Sequence, residues 1–310
     1  MQDMYLDVSD MLIQGLEKNA DWQILVDAVT GNHLTGLQMQ HDAVRTARAL
    51  LTLGLKPGDH VVCCCPDSLR YACCIIGIHF AGLVFSGTYP SMTKREMEFQ
   101  VKDLKARAVI CVSSNLPLIR EVATGIKSVE KVIVIDLPVG NLAHSNQGHG
   151  VDSLEYAWSV GSLIVDPIPV RIQEPAHASY VVFSSGSTGS QKGCPITHAN
   201  AVARCCAFAA TQERDHLIMS INGGLHYAAA IEILHVAIMR GNTLIMERDP
   251  YPTLDQIMSS IARYGCTDVW VGPAQLSLMA KNLHVFDQFD IRSLQKIRVC
   301  GVVLFPCFPC

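Results

Sequence analysis

The sequence predicts an α/β protein made of two parallel-sheet α/β subdomains with helices on both faces. Two observations predict it. Short apolar runs of strand length alternate with segments of helical periodicity along most of the chain, an order that gives parallel sheets covered by helices. A polar stretch, Gly140 to Gly150, then divides that alternation into residues 1–150 and 151–301, with a divergent tail at 302–310.

Composition bounds the answer. The chain has 310 residues, 49% hydrophobic and 17% charged, which leaves room for one large or two ordinary domains with a sizeable core. The net charge is −4 without a basic run, which points away from nucleic acid. Met1 to Leu16 lacks the basic start and apolar block of a signal peptide. Tyr71 to Met92 carries no Asp, Glu, Lys or Arg and is long enough to cross a bilayer. Gly77, Gly82, Gly87 and Pro90 interrupt it, so a buried helix followed by a buried strand is expected, with no transmembrane span.

There are 13 cysteines, and most stand as neighbours: Cys63-Cys64-Cys65, Cys73-Cys74 and Cys205-Cys206. Neighbours on a strand or helix point apart and pair poorly, so they read as small buried hydrophobes. This implies a reducing, intracellular compartment, the cytoplasm by default, with peroxisome or mitochondrion open for a longer form. Cys307-Phe308-Pro309-Cys310 has no second pair with which to hold zinc.

In chain order, Ile24 to Asp27 and Asn32 to Thr35 read as strands around Thr30-Gly31. Val44, Ala47, Leu50 and Leu51 mark a helix that Gly54 can end. Strand His60–Cys65, helix Ser68–Ala81 and strand Leu83–Ser86 follow. Thr93 with Glu96 forms a capping box opening a helix. Ala108–Val112 and Lys131–Asp136 read as strands around helix Asn115–Lys127. Asp152–Val160 reads as a linking helix, and a Pro-rich crossing runs from Pro167 to Pro175. Beyond it come strand Tyr180–Phe183, helix Asn200–Ala210, strand Leu217–Ile221, helix Ala228–Met239 and strand Thr243–Met246. A helix marked by Leu254, Ile257, Met258 and Ile261 ends at Gly265, and strand Asp268–Val271 leads to Gly272-Pro273.

The stretch with chemistry is Ser184-Ser185-Gly186-Ser187-Thr188-Gly189-Ser190-Gln191-Lys192-Gly193. It lies between the strand Tyr180–Phe183 and a helix start at Thr197-His198-Ala199-Asn200, so it reads as strand, small-residue loop, helix. Glycines let the backbone approach a ligand, hydroxyls and loop amides are phosphate donors, and Lys192 adds a mobile positive charge. Composition alone fits a flexible surface loop equally well. It is not a Walker A loop, because Lys192 follows Gln191 and precedes Gly193. The order of residues does resemble the phosphate-binding signature of the adenylate-forming enzymes: acyl-CoA synthetases, 4-coumarate–CoA ligases and the firefly luciferase group. Ser184 to Gly193 match Thr/Ser-Ser-Gly-Thr/Ser-Thr-Gly-x-Pro-Lys-Gly everywhere except Gln191, where the family has proline. Proline at 191 would stiffen the loop. Weaker matches in the family's order are Leu34-Thr35, Gly54 to Asp59 and Gly82 to Glu96.

The resemblance implies the large N-terminal domain of an ATP-dependent acid–thiol ligase using ATP, Mg2+ and coenzyme A on a fatty or aromatic carboxylic acid. By that resemblance Ser184, Ser185, Gly186, Ser187, Thr188, Gly189 and Lys192 hold phosphates. Gly301 falls in the segment that corresponds to the family's Gly-Gly-Ala-Pro-Leu. A lone histidine is ordinarily a core residue with a backbone partner. The resemblance makes His226, before an apolar helix, border the acyl pocket and the phosphates, and with Lys192 it is the catalytic candidate; Tyr227 and Ala229 stand where the family often has glycines. Tyr264-Gly265-Cys266-Thr267-Asp268 looks like the family's Tyr-Gly-x-Thr-Glu motif but comes before the segment at Cys300-Gly301, so it is read as a helix end running into a strand. The resemblance runs from about Leu34 to Gly301. It does not reach that motif, the ribose-binding aspartate, the hinge or the C-terminal domain with its lysine. The tail from Val302 to Cys310 reads as an alternative splice end or a mispredicted gene end. Two functions are therefore expected: a carboxylate–CoA ligase in truncated form, or an inactive fragment that binds a nucleotide or partner.

Overall fold

The structure is a computed structural model and describes residues 7–137, 150–161, 169–170, 174, 176–184, 191–213, 216–249 and 251–300. Capping chemistry sets many of the helix starts. α1 (Val8–Lys18) begins at Asp7, whose side chain accepts from the Asp10 amide. Strands β1 (Gln23–Asp27) and β2 (His33–Thr35) follow, and Thr35 opens α2 (Gly36–Thr52) through a reciprocal box with Gln38. β3 (His60–Cys64) leads to α3 (Leu69–Phe80), capped by Ser68, and then β4 (Val84–Gly87). The uncharged stretch is therefore a buried helix and a buried strand, and among the described residues no helix is long and apolar enough to cross a membrane. Thr93 and Glu96 form the expected box at α4 (Lys94–Asp103). β5 (Ala108–Cys111), α5 (Leu116–Thr124), β6 (Lys131–Val134), β7 (Gly150–Ser153) and α6 (Leu154–Gly161) continue the alternation.

Asp152 and Ser153 depart from the helix expected for them. They lie in β7, where pairing with Ile133 and Val134 overrides local helical periodicity. The expected boundary at 140–150 falls almost entirely outside the described residues, as does most of the Pro-rich crossing. Next come β8 (Ala178–Ser184), β9 (Lys192–Thr197), α7 (His198–Ala210), β10 (Ile218–Ile221), α8 (Ala228–Arg240), β11 (Thr243–Met246), α9 (Leu254–Tyr264), β12 (Asp268–Val271), α10 (Pro273–Lys281) and β13 (Lys296–Val299).

The strands form two sheets. One has the order β7-β6-β5-β3-β4-β8-β9, the other β13-β12-β10-β11-β1-β2. Pairing is parallel except for β1 with β2 and β8 with β9. Reading one sheet from each half of the chain is corrected here. β1 pairs with β11, setting Leu25 opposite Leu244, while β8 of the phosphate-loop region joins β4 through Phe85 and Tyr180. Both crossings bury backbone edges that would otherwise be open.

Side-chain alternation then fixes five layers. On the first sheet Val61, Cys63, Ala108 and Ile110 face the same core as Leu25, Met219 and Leu244 of the second sheet. Val62, Cys64, Val109 and Val132 face outward into a core that includes Met97 of α4 and Ile119 of α5. Val26, Ile245 and Val269 face Ile257, Met258 and Ile261 of α9 on the far side. Helices α1, α2, α3, α6, α7 and α8 thus lie between the sheets. Two glycines let them pack closely. A Cβ on Gly15 would meet the Ile238 carbonyl oxygen at 2.8 Å, and one on Gly77 would meet Thr46 Cβ at 2.6 Å. The described cysteines are free, and most are buried as small apolar groups.

This middle layer holds histidines. His79 and His235 are fully buried, with ring centroids 5.2 Å apart. His79 shares a 3.2 Å hydrogen bond with the Ser179 hydroxyl, whereas neither ring nitrogen of His235 has a partner among the described residues. Burial pushes His235 down to about 3 from 6.5, so folding excludes its proton. An unfolded chain binds that proton below pH 6.5, so this group's penalty on stability grows as pH falls from there toward about 3. His235→Leu is expected to remove that penalty. Relative to wild type, the variant should gain about 2 kcal/mol between pH 6.5 and pH 5, read by urea unfolding at both values.

Candidate active site

The cleft forms where the two sheets present the C-terminal ends of their strands, the usual place for a site in parallel sheets. It has a volume of about 470 Å3 and is lined by Gly87 at the end of β4, Thr88 and Tyr89 after it, Met92 and Gln100 at α4, Phe183, Ser184 and Gln191 at the β8–β9 hairpin, His226 and Tyr227 before α8, and Tyr251.

Gly87 allows the sheets to meet here. A Cβ at 87 would lie 2.6 Å from His226 Cα and 3.0 Å from its Cβ, so a larger residue would displace the loop. The His226 ring packs at 5.2 Å from Tyr89 and 4.2 Å from Tyr227. Tyr227 reaches the Tyr251 hydroxyl at 2.7 Å and so crowds the cleft mouth. Burial lowers His226 to about 4, which leaves it neutral near pH 7. Its Nε2 is buried and has no partner among the described residues, so the core-histidine reading with a satisfied ring does not describe it. The Gln100 side-chain oxygen, in the same cleft, also lacks a partner there.

The hairpin corrects the expected strand-loop-helix. Lys192 begins β9 opposite Ser184, and α7 starts only at His198 behind the Thr197 cap. The loop therefore joins two antiparallel strands and does not run into a helix N-terminus. Gly193 to Thr197, expected in the run from loop to helix, belong instead to β9, an edge strand, where Pro195 is tolerated. Lys192 is exposed at the base of the hairpin, adjacent to the lining residue Gln191. Ser185, Gly186, Ser187, Thr188 and Gly189 lie outside the described residues, as does Gly301. Of the predicted residues, the structure brings Ser184 and His226 into one cleft.

Tyr89, Gln100, Tyr251 and Asp67 were not singled out from the sequence, and Gly87 was named only as an interruption of the apolar stretch. Gly87 ends β4 and Tyr89 follows it, a position that marks sites in parallel sheets. Asp67 directly follows the β3 region, is 6% exposed, and accepts the Leu225 amide at 3.0 and 3.2 Å. Gln100 is detectable only through its contact, since its amide nitrogen donates to Gln191 Oε1 at 2.9 Å. Tyr264 ends α9, Gly265 caps it at φ +64°, and Asp268 begins β12 at 2% exposure, bound by Arg298 at 3.0 Å. That segment is structural, as its order in the chain predicts.

The model of the family described as AMP-binding enzyme matches residues 14–306, nearly the whole chain. The chain belongs to that family. Among curated relatives it is 33% identical over 205 residues to 4-coumarate–CoA ligase-like 1 of Arabidopsis thaliana, covering 65% of this chain and 34% of that protein. It is 22% identical over 303 residues to 4-coumarate–CoA ligase 1 of Narcissus pseudonarcissus, covering 94% and 52%. Its fold superposes on a natural red-emitting luciferase from Phrixothrix hirtus with a TM-score of 0.83 at 21% identity, covering 96% of this chain and 56% of that one. The chain spans about half the length of these proteins, or less.

Gln191 stands where the family signature has proline, and its contact gives the substitution a measurable consequence. Gln191→Pro gains about 0.4–1 kcal/mol from loop stiffness but strands the buried Gln100 amide, at about 1–3 kcal/mol. The variant is therefore expected to lose about 1 kcal/mol of stability in thermal unfolding, and adding Gln100→Leu should recover it. Gly87→Ala is expected to cost about 1–3 kcal/mol by overpacking and to shift the His226 imidazole resonances, read by NMR.

Proposed function

We propose that the chain supplies phosphate- and carboxylate-binding groups for an ATP-dependent acid–thiol ligase. The observation that carries this reading is the set of buried, unpartnered polar atoms, His226 Nε2 and Gln100 Oε1, in a cleft whose wall includes both ends of the signature loop, Ser184 and Gln191. Such atoms are costly unless a ligand or water satisfies them. Family membership and the loop sequence favour a ligand with phosphates and a carboxylate.

In the proposed reaction a carboxylate oxygen of a small acid attacks the α-phosphorus of ATP, and pyrophosphate leaves. The sulfur of coenzyme A then attacks the acyl carbon of the adenylate, and AMP leaves. Lys192 meets phosphate charge from the hairpin base. His226 is neutral, so its imidazole orients the carboxylate and phosphate by hydrogen bonding rather than by charge. The rings of Tyr89, Phe183, Tyr227 and Tyr251 suit a fatty or aromatic acyl group. Among the described residues no cluster of three His, Cys, Asp or Glu fits a metal, and the cleft lining contains no carboxylate. The free thiols fit a reducing compartment.

Binding is expected to be separable from turnover. Lys192→Ala should weaken ATP binding by about 1.5–3 kcal/mol, read by calorimetry. The 310-residue chain, given ATP, Mg2+, coenzyme A and a panel of fatty and aromatic acids, is expected to bind nucleotide and form no thioester. Equal ATP affinity in the variant would overturn the phosphate-site reading. Thioester above the Lys192→Ala level would show that these residues alone complete the reaction.

A further inference from the structure

We propose that Asp67 is a positioning residue, a carboxylate clasp that reaches from the first sheet to the loop of the second and sets where His226 stands in the cleft. The proposal rests on the reading of His226 as a site residue. Asp67 lies between β3 and α3, while Leu225, whose amide it binds, lies between β10 and α8, next in the chain to His226. Both carboxylate oxygens reach that one amide, at 3.0 and 3.2 Å. The clasp and the Gly87 contact hold the same loop from two directions, one by hydrogen bonding and one by close packing.

The clasp is buried, and burial sets its chemistry. Desolvation raises Asp67 from 3.8 to about 7, with the Leu225 amide pulling the other way and no neighbouring charge contributing. Among the described residues the Tyr71 phenol of α3 senses Asp67 and also the thiols of Cys63, Cys64 and Cys65, and His226 follows Leu225 in the chain. All of these are uncharged near pH 7, since burial raises the phenol and the thiols and lowers His226. The ionised carboxylate makes the stronger hydrogen bond but is the costlier form to bury. Folding therefore keeps a proton on Asp67 between pH 3.8 and about 7. Through that window its contribution to global stability falls as pH rises, while the local clasp tightens.

The test is amide hydrogen exchange and imidazole NMR on the ligand-free chain, comparing wild type, Asp67→Asn and Asp67→Ala. In wild type, protection of the Leu225 amide, corrected for intrinsic exchange, should rise about fivefold to tenfold from pH 6 to pH 8, and the His226 resonances should show a matching step. Asp67→Asn keeps an acceptor, so protection should persist without the pH step. Asp67→Ala should lose Leu225 protection and move the His226 resonances. The proposal is overturned if the pH step survives in Asp67→Asn, if wild type shows no step, or if a folded Asp67→Ala protects Leu225 as wild type does. The readouts need no nucleotide, so a chain that binds no ATP still tests the clasp. A chain that binds ATP but fails these tests keeps its phosphate site and loses the clasp.

Discussion

Helices α1, α2, α3, α6, α7 and α8 fill one core layer between the two sheets, and that shared layer positions the cleft. Because Leu25, Met219 and Leu244 face the same core as Val61, Cys63 and Ile110, the sheets cannot shift independently without opening apolar surface. Close packing at Gly15 and Gly77 leaves the helices no room to slide. The strand ends of both sheets are thereby brought together, and the Gly87 contact with His226 and the Asp67 contact with Leu225 are two points where they touch. Chain connectivity reinforces this, since β1 is a partner of β11 across the whole first sheet's sequence.

The cleft is largely apolar, with a few hydrogen-bonding groups and no charge. Its described lining contains no Asp, Glu, Lys or Arg, and its histidine is held neutral by burial. A ligand entering it therefore meets hydrogen-bonding groups and aromatic faces first. Positive charge comes from Lys192, exposed at the hairpin base. That division suits a ligand with an apolar acyl part inside the cleft and phosphates at its hairpin side.

Much of the fold was legible because strand and helix periodicities are local. The capping box at Thr93 and Glu96, the helix end at Gly265, and the buried cysteine strand each depend on residues within a few positions of one another. Sheet membership was not legible, because the pairing of Leu25 with Leu244 spans the chain and leaves no local mark. The edge strand β9 is defined by its antiparallel pairing with β8, a contact that the expected run from loop to helix did not include. His226 stood out through family resemblance. The groups that hold and surround it, Gly87, Asp67 and Gln100, are visible only as contacts between distant segments.

In the proposed function the hairpin and the His226 loop form one ligand site. Hydrogen-exchange mass spectrometry of the 310-residue chain, with and without ATP, measures this. ATP is expected to slow exchange in the peptides covering both Ser184 to Lys192 and Asn222 to Tyr227, at the same ATP concentration. ATP binding that protects neither peptide, or only one of them, would contradict it.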